Sequence, residues 1–394
     1  MLHILLFALV YVSGFILSLI SLPVFSFILY ELVYFFHPTS RWWSYGIPNI
    51  SYSFYTVLLM IWVLLINLQK TSHNKLLMIP QFKWAYFSFV IFAVTYFYAI
   101  FPTVHYAAVT AFATQLLVIS IAYKMIDTEK KLDLVLWGYI VGAFYLSFYI
   151  FQLGRNSGMR VEGMGMVDAP GSNALAAAIA PSLVLCLYYY WRFDTKRFKV
   201  VFAIAGVFIA NAIVLINSRG AFLAVSTSLL YFMFYMYTSS QQKRFQKATA
   251  VWLTIVGLAG VVYLADDSFI ERMKSISNTA VSEQAESGST RTVFWKGAWE
   301  MAKDYPLGTG ASGFQYYAPF YVPEHIHTGR SRNRAVHSTW FEALTEVGYL
   351  GLIVFVLMLY SCFKTTNKCK KLLKEKNTPE AYFKVIAIEA AFIS

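Results

Sequence analysis

Long apolar runs recur along almost the whole chain, at 2–20, 23–37, 52–69, 84–101, 103–122, 132–151, 173–191, 199–217, 220–238, 248–265, 339–362 and 380 onward. Most reach the eighteen or so residues that a helix needs to cross about 30 Å of hydrocarbon. No water is available there to satisfy backbone N–H and C=O groups, so such segments fold as helices. The expectation is an all-α polytopic membrane protein with about twelve transmembrane helices. The first run lacks a basic leader and passes straight into a second at Pro23, so it reads as retained rather than cleaved. The last, Tyr382 to Ser394, is too short to cross and reads as an incomplete helix.

The formal charge of +12 is at first sight a nucleic-acid signal. Its distribution argues otherwise. Alternate loops at 70–83, 123–131, 192–199, 239–247 and 364–376 hold nineteen Lys plus Arg against four Asp plus Glu. Such asymmetry orients a membrane protein with those loops in the cytoplasm, so the charge is topological and no nucleic-acid partner is expected. The loops at 38–51, 152–172, 217–220 and 266–338 then face the other side. Aromatics near run ends, among them Trp42, Trp43, Trp84 and Tyr188 to Trp191, fit interfacial belts better than ligand sites. Cys186, Cys362 and Cys369 show no metal or disulfide spacing and read as free thiols. No internal repeat is visible, which weighs against a secondary transporter.

Three regions follow: an N-terminal bundle over 1–265, a large loop over 266–338, and C-terminal helices over 339–394. The loop carries eight basic and eight acidic residues. It opens with a low-apolarity stretch, Ser275 to Ser289. From Thr290 to Tyr305 an amphipathic pattern predicts a helix lying on the membrane or on the bundle. Pro306 to Gly313 reads as turns. Phe314 to Tyr321 is an aromatic patch suited to the bilayer interface or to stacking on sugar rings.

Gly308, Gly310 and Gly313 spell GxGxxG, but after a helix and a proline rather than a strand, and on the wrong side for a dinucleotide. Plain turns, or backbone amides approaching a phosphate, are the remaining readings. His337 lies just before Thr339 and Glu342, whose spacing suggests a capping box for the next span. A neutral imidazole at a membrane mouth suits proton transfer from a hydroxyl, against the plainer reading of an interfacial histidine bonded to backbone. Arg219 sits in a four-residue polar break, Asn217 to Gly220, between two apolar runs, where an ionisable group needs a partner or a task. Arg160 and Arg291 fall on the same side. Three guanidiniums suit bidentate grip on phosphate oxygens and point to a lipid diphosphate. Asp168 and Asn173 stand at the same mouth, with Gly171, Ser172 and Asn173 offering a helix cap and Ala174 to Ala180 a small-residue packing face. His325 with His327, and Asp266 with Asp267, raise a metal site, but no third ligand stands at diagnostic spacing. Neither a metal nor a cofactor is expected. Arg330 to Arg334 reads as a solvated basic run or a contact for anionic headgroups.

Four stretches together resemble the bacterial O-antigen ligase and polymerase family, including the ligase-like O-glycosylation proteins of exopolysaccharide systems. They are Arg160 onward to Asn173, Asn217 to Gly220, Arg291 through Trp295 to Gly310, and His337 to Glu342 with Glu346, Gly348 and Gly351. The opening, with Pro23, Tyr34 to Pro38 and Ile47-Pro48, is similar to that branch too. The resemblance implies a C-type glycosyltransferase fold whose large periplasmic loop holds short helices. It implies a multi-pass protein of the bacterial inner membrane, working on its periplasmic face. It further implies transfer of glycan from undecaprenyl diphosphate to an acceptor hydroxyl, inverting and without a metal, with His337 as base and Arg160, Arg219 and Arg291 on the diphosphate. Asp168 and Asn173 are further substrate-binding candidates, where Gly171 and Ser172 lengthen the usual motif. A repeat-unit polymerase and a polysaccharide or lipid transporter are the alternatives.

Overall fold

The computed structural model describes residues 2–158, 160–164, 166, 171–274, 288–326 and 332–394. Asp168, the stretch 275–287, His327 and Arg330 lie outside the described residues. The described chain is helical throughout, with one isolated bridge between Ser157 and Arg160. In order the helices are α1 Leu2–Ile20, α2 Val24–Phe36, α3 Tyr52–Ile66, α4 Pro80–Thr95, α5 Pro102–Met125, α6 Glu129–Leu153, α7 Ser172–Arg192, α8 Lys196–Ile216, α9 Arg219–Thr238, α10 Gln246–Leu264, α11 Asp267–Lys274, α12 Gly288–Asp304, α13 Gly313–Tyr321, α14 Thr339–Glu375 and α15 Pro379–Ile393.

Among the described residues eight helices, α1, α5 to α10 and α14, are long and apolar enough to cross a membrane, and the chain is a multi-pass membrane protein. The runs expected at 23–37, 52–69, 84–101 and 380 onward form apolar helices of 13, 15, 16 and 15 residues. At 1.5 Å per residue the longest of these spans about 24 Å, short of a straight crossing. The count of about twelve is therefore met by length in eight.

The helices group into two compact units that do not follow chain order: 1–74 with 121–273 and 365–394, and 75–120 with 274–364. In the first unit α7 is central, packing on α6, α8, α9 and α15. Its small-residue face is buried as expected at Ala176 and Ala180. Helix α2 crosses α6 where Gly138 and Gly142 stand one turn apart. A Cβ would come within 2.8 Å of Ile28 at the first and 2.3 Å of Phe35 at the second, so only hydrogen fits.

The Lys-rich loops of this unit meet at one end. Asn74 donates to the Tyr123 and Ile126 carbonyls, Lys243 to the Arg192 carbonyl and Gln241 to the Lys374 carbonyl. Arg192 pairs with Asp133 at 2.8 Å, Lys243 with Glu380 at 2.7 Å, and Lys384 with both Asp133 and Glu129. Deeper in, Lys370 pairs with Glu389 at 2.5 Å, and Tyr231 and Thr366 also donate to that carboxylate. The loops that charge counting put on the opposite side, 154–166, 171–173, 217–218 and 266–268, are joined at the other end, as detailed below. Nothing in the sequence around Arg41 marks it for a role. It is buried, and its guanidinium bonds the Phe36 and Phe35 carbonyls at 2.7 and 3.1 Å, a cation closing the C-terminus of α2.

In the second unit the Pro306 to Gly313 turn docks onto α14. That helix is broken at Gly348, whose φ of 70° is left-handed. The break frees backbone groups, and the turn supplies their partners. Thr309 N–H donates to the Thr345 carbonyl and Gly310 N–H to the Glu346 carbonyl, each at 2.9 Å, while the Pro306 carbonyl accepts from Tyr349 N–H at 3.1 Å. Gly308 is required here because its φ is 82° and a Cβ would lie 2.5 Å from the Glu346 backbone. The other side of the turn reaches α5. His105 is fully buried, accepts from Ala311 N–H on Nδ1 at 3.0 Å, and its Nε2 lies 2.8 Å from the Phe92 carbonyl. One ring nitrogen must accept and the other donate, which fixes the neutral tautomer with hydrogen on Nε2.

Candidate functional site

The first unit brings Arg160, Asn173 and the Asn217–Ser218 link together. Helix α8 ends at Ile216, and Asn217 turns the chain with a left-handed φ of 56°. Ser218 then caps α9 by accepting from Ala221 N–H, and Arg219 is the first helical residue. The Asn173 Oδ1 accepts from the Arg160 guanidinium at 2.8 Å and from the Ser218 hydroxyl at 2.9 Å. One carboxamide oxygen thus draws the arginine of the 154–166 loop to the residue preceding Arg219. Arg160 also reaches the Ile216 carbonyl at 3.4 Å and lies 3.9 Å from Glu162. A cleft of about 230 Å³ opens here, lined by Arg160, Glu162, Gly163, Gly171, Ser172 and Asn173.

Helix α7 does begin at Ser172, but the expected side-chain cap is absent. Gly171 occupies the cap position, and the Ser172 hydroxyl donates instead to Glu162 at 3.4 Å. Asn173 is a positioning residue for Arg160 in this arrangement. Asp168, its expected companion, lies outside the described residues.

The same end is tied down by Arg155, which grips Asp266 with both terminal nitrogens, one of them at 3.0 Å. Asp266 also accepts from Phe269 N–H at 2.8 Å and so starts α11. The Arg155 hydrogen bond holds the Asp266 carboxyl below the usual carboxylate range. Asp266, weighed above as a metal ligand, is committed to these contacts. Asn217 adds a bond to the Ser268 carbonyl at 3.3 Å.

The second unit holds Arg291 and His337. The amphipathic helix expected from Thr290 is α12, with Arg291 in its first turn. Trp295, one turn on and therefore on the same face as Arg291, donates its indole N–H to the Val336 carbonyl at 3.1 Å. It also stacks on Phe341 with ring centroids 5.8 Å apart. The Val336 side chain is buried with Phe294, Ala298 and Met301 of α12 and Phe314 and Ala318 of α13. His337 follows at once, exposed, with a left-handed φ of 50°. A non-glycine residue there is uncommon and persists only where its surroundings hold it. The segment before it is braced by α13. Arg332 donates to the Pro319 and Val322 carbonyls at the end of that helix, and Asn333 exchanges bonds with Gln315.

Two sequence expectations change here. Helix α14 starts at Thr339, so Thr339 is its first residue and not its cap: the helix begins one residue earlier than a capping box at Thr339 would set it, with the Ser338 carbonyl accepting from Glu342 N–H at 2.8 Å. The amides of Thr309, Gly310, Ala311 and Ser312 all donate to protein acceptors, the last to the Glu346 carboxylate at 3.0 Å. The glycine turn is thus a docking element, and its amides are not available to a phosphate.

A helical multi-pass membrane protein with arginines and a histidine set at helix N-termini is the class these features define. Residues 204–356, a stretch that includes Arg219, Arg291 and His337, match the model of the O-antigen ligase family, and over that stretch the chain is similar to it. That family is associated with glycosyl transfer, by ligation or polymerisation. No curated protein matches the chain.

Proposed function

We propose that this protein transfers a glycan from a polyprenyl diphosphate, undecaprenyl diphosphate in a bacterial inner membrane, to an acceptor hydroxyl on the periplasmic face. In this reading His337 takes the acceptor's proton as its oxygen attacks the anomeric carbon with inversion. The bond from that carbon to the diphosphate breaks, and its electron pair leaves with the phosphate oxygen. Arg160, Arg219 and Arg291 bind and neutralise the departing group, supplying charge stabilisation without a required metal.

The observation that carries the reading is the Asn173 bridge between Arg160 and Ser218, beside Arg219 at the first position of α9. A cation at a helix N-terminus opposes the helix dipole, whereas an anion bound there is favoured by both. Placing arginine at that position suits a site whose occupant is an anion. The test is reconstituted transfer from a defined lipid-linked oligosaccharide by the full chain in vesicles. Arg219→Ala and His337→Ala are expected to abolish turnover, with activity persisting in chelator. Full-rate transfer by His337→Ala would remove the base assignment, and chelator sensitivity would return the metal reading.

A further inference from the structure

The rings of α13 that turn away from its buried face have been given no task. Tyr316 and Phe320 stand one turn apart, opposite Phe314 and Ala318, and Phe320 is 78% exposed. Leu307 is 65% exposed, and Phe97, in the turn between α4 and α5, is 84% exposed. Phe101 of that turn meets Tyr316 with centroids 5.5 Å apart, and the Tyr98 hydroxyl bonds the Leu307 carbonyl at 3.1 Å. These two contacts join the α4–α5 turn, the Pro306 to Gly313 turn and α13 into an apolar ridge within the second unit.

Two crossing helices fix its depth. At 24 residues α5 is about 36 Å long, little more than the hydrocarbon thickness. The docked turn bonds Ile100 and His105, the residues flanking its first turn. Helix α14 resumes after Gly348 with Tyr349 bonded to Pro306, the neighbour of Leu307. Both therefore set Leu307 and α13 at the level where a span ends. The most exposed members, Phe97, Phe320 and Leu307, are pure hydrocarbon and offer a saccharide no hydrogen bond, while Tyr98 and Tyr316 supply the amphipathic rings typical of a membrane boundary.

We infer that the α13 ridge and the α4–α5 turn are seated in the headgroup–acyl boundary of the bilayer. The segment carrying His337 runs along the other side of α13, so the imidazole is held close to that boundary, within reach of a group borne on a lipid. The seating does not depend on the proposed reaction.

Depth measurement tests it. The full chain, with Cys186, Cys362 and Cys369 replaced by alanine, is labelled with a nitroxide at Phe320→Cys, or separately at Phe97→Cys, in phosphatidylethanolamine–phosphatidylglycerol vesicles. Lys303→Cys on α12 is the aqueous reference. Both tested positions are so exposed that the substitutions remove few contacts. Strong relaxation by oxygen with loss of access to a nickel chelate is expected at 320 and 97, and the reverse at 303. Nickel access at 320 and 97 equal to that at 303 would overturn the inference. So would nickel access lost only on adding a soluble oligosaccharide, which would assign the ridge to glycan.

Discussion

The indole nitrogen of Trp295 lies 3.1 Å from the Val336 carbonyl oxygen, and this bond anchors the peptide that presents His337. Trp295→Phe keeps a ring to stack on Phe341 but deletes the donor. Losing such a bond removes about 0.5–1.5 kcal/mol, and misplacement by about 1 Å of a reacting group lowers rate by up to ~100-fold. The expected outcome is a fall in kcat with donor KM nearly constant, read in steady-state transfer assays. Equal loss in KM alone would place Trp295 in donor binding instead.

Asn173→Ala should release Arg160 and Ser218 together. A hydrogen bond to a charged group contributes about 1.5–3 kcal/mol, so donor affinity should drop by roughly 10- to 100-fold. Asn173→Asp puts a carboxylate in the place of the oxygen now 2.8 Å from Arg160, competing with the diphosphate. It should bind donor more weakly still. Isothermal titration with a short-chain polyprenyl diphosphate checks both, and tighter binding by the aspartate variant would refute the bridge's role.

Gly308→Ala and Gly348→Ala each force a side chain onto a left-handed backbone, the first to 2.5 Å from the Glu346 backbone of α14 and the second to 2.2 Å from the Pro306 carbonyl of the docked turn. The combined strain is on the order of 2–6 kcal/mol. Gly257→Ala on α10 meets nothing within 4 Å and serves as the control. Thermal unfolding in detergent should separate the first two from the third, and indistinguishable midpoints would show that the turn is not a structural clamp.

Asp266 provides a pH signature. Its folded carboxyl titrates below the unfolded value of about 3.9 because Arg155 bonds the ionised form. The pair's contribution is therefore complete above that unfolded value and is lost as pH falls through the lower folded one. The carboxylate is partly exposed, so the effect should be small. Melting curves between pH 3 and 6 should show acid loosening that Asp266→Asn reduces; an unchanged acid limb would show that the pair does not contribute.

Much of this architecture was legible because hydrocarbon imposes one answer on an apolar run, so eight of the expected spans and the amphipathic α12 fall close to the expected residues, while four runs form helices too short to cross straight. The break at Gly348 was not, since it depends on a turn some forty residues earlier that completes the hydrogen bonding of α14. For the same reason the GxGxxG amides looked free until their acceptors on α14 and α5 were known. The arginines and His337 stood out by residue type and loop side. Trp295 lay in the motif that suggested the family, but nothing local marked its indole as the brace for Val336. His105 and Arg41 gave no signal, because His105 answers to backbone groups of α4 and of the 306–313 turn, and Arg41 to the last carbonyls of α2 once the chain folds back on them.

The connection of Asn217 and Ser218 leaves α8 and α9 no slack. At 21 residues α8 is about 31 Å long, close to the thickness of the oily layer itself. Arg219 therefore sits at the top of a ruler rather than on a tether, and its height above the lipid tails is set by a residue count. Inserting a single helical turn into α8 would lift that guanidinium by about 5 Å, and in the proposed reaction a donor whose diphosphate is pinned by its own lipid could not follow.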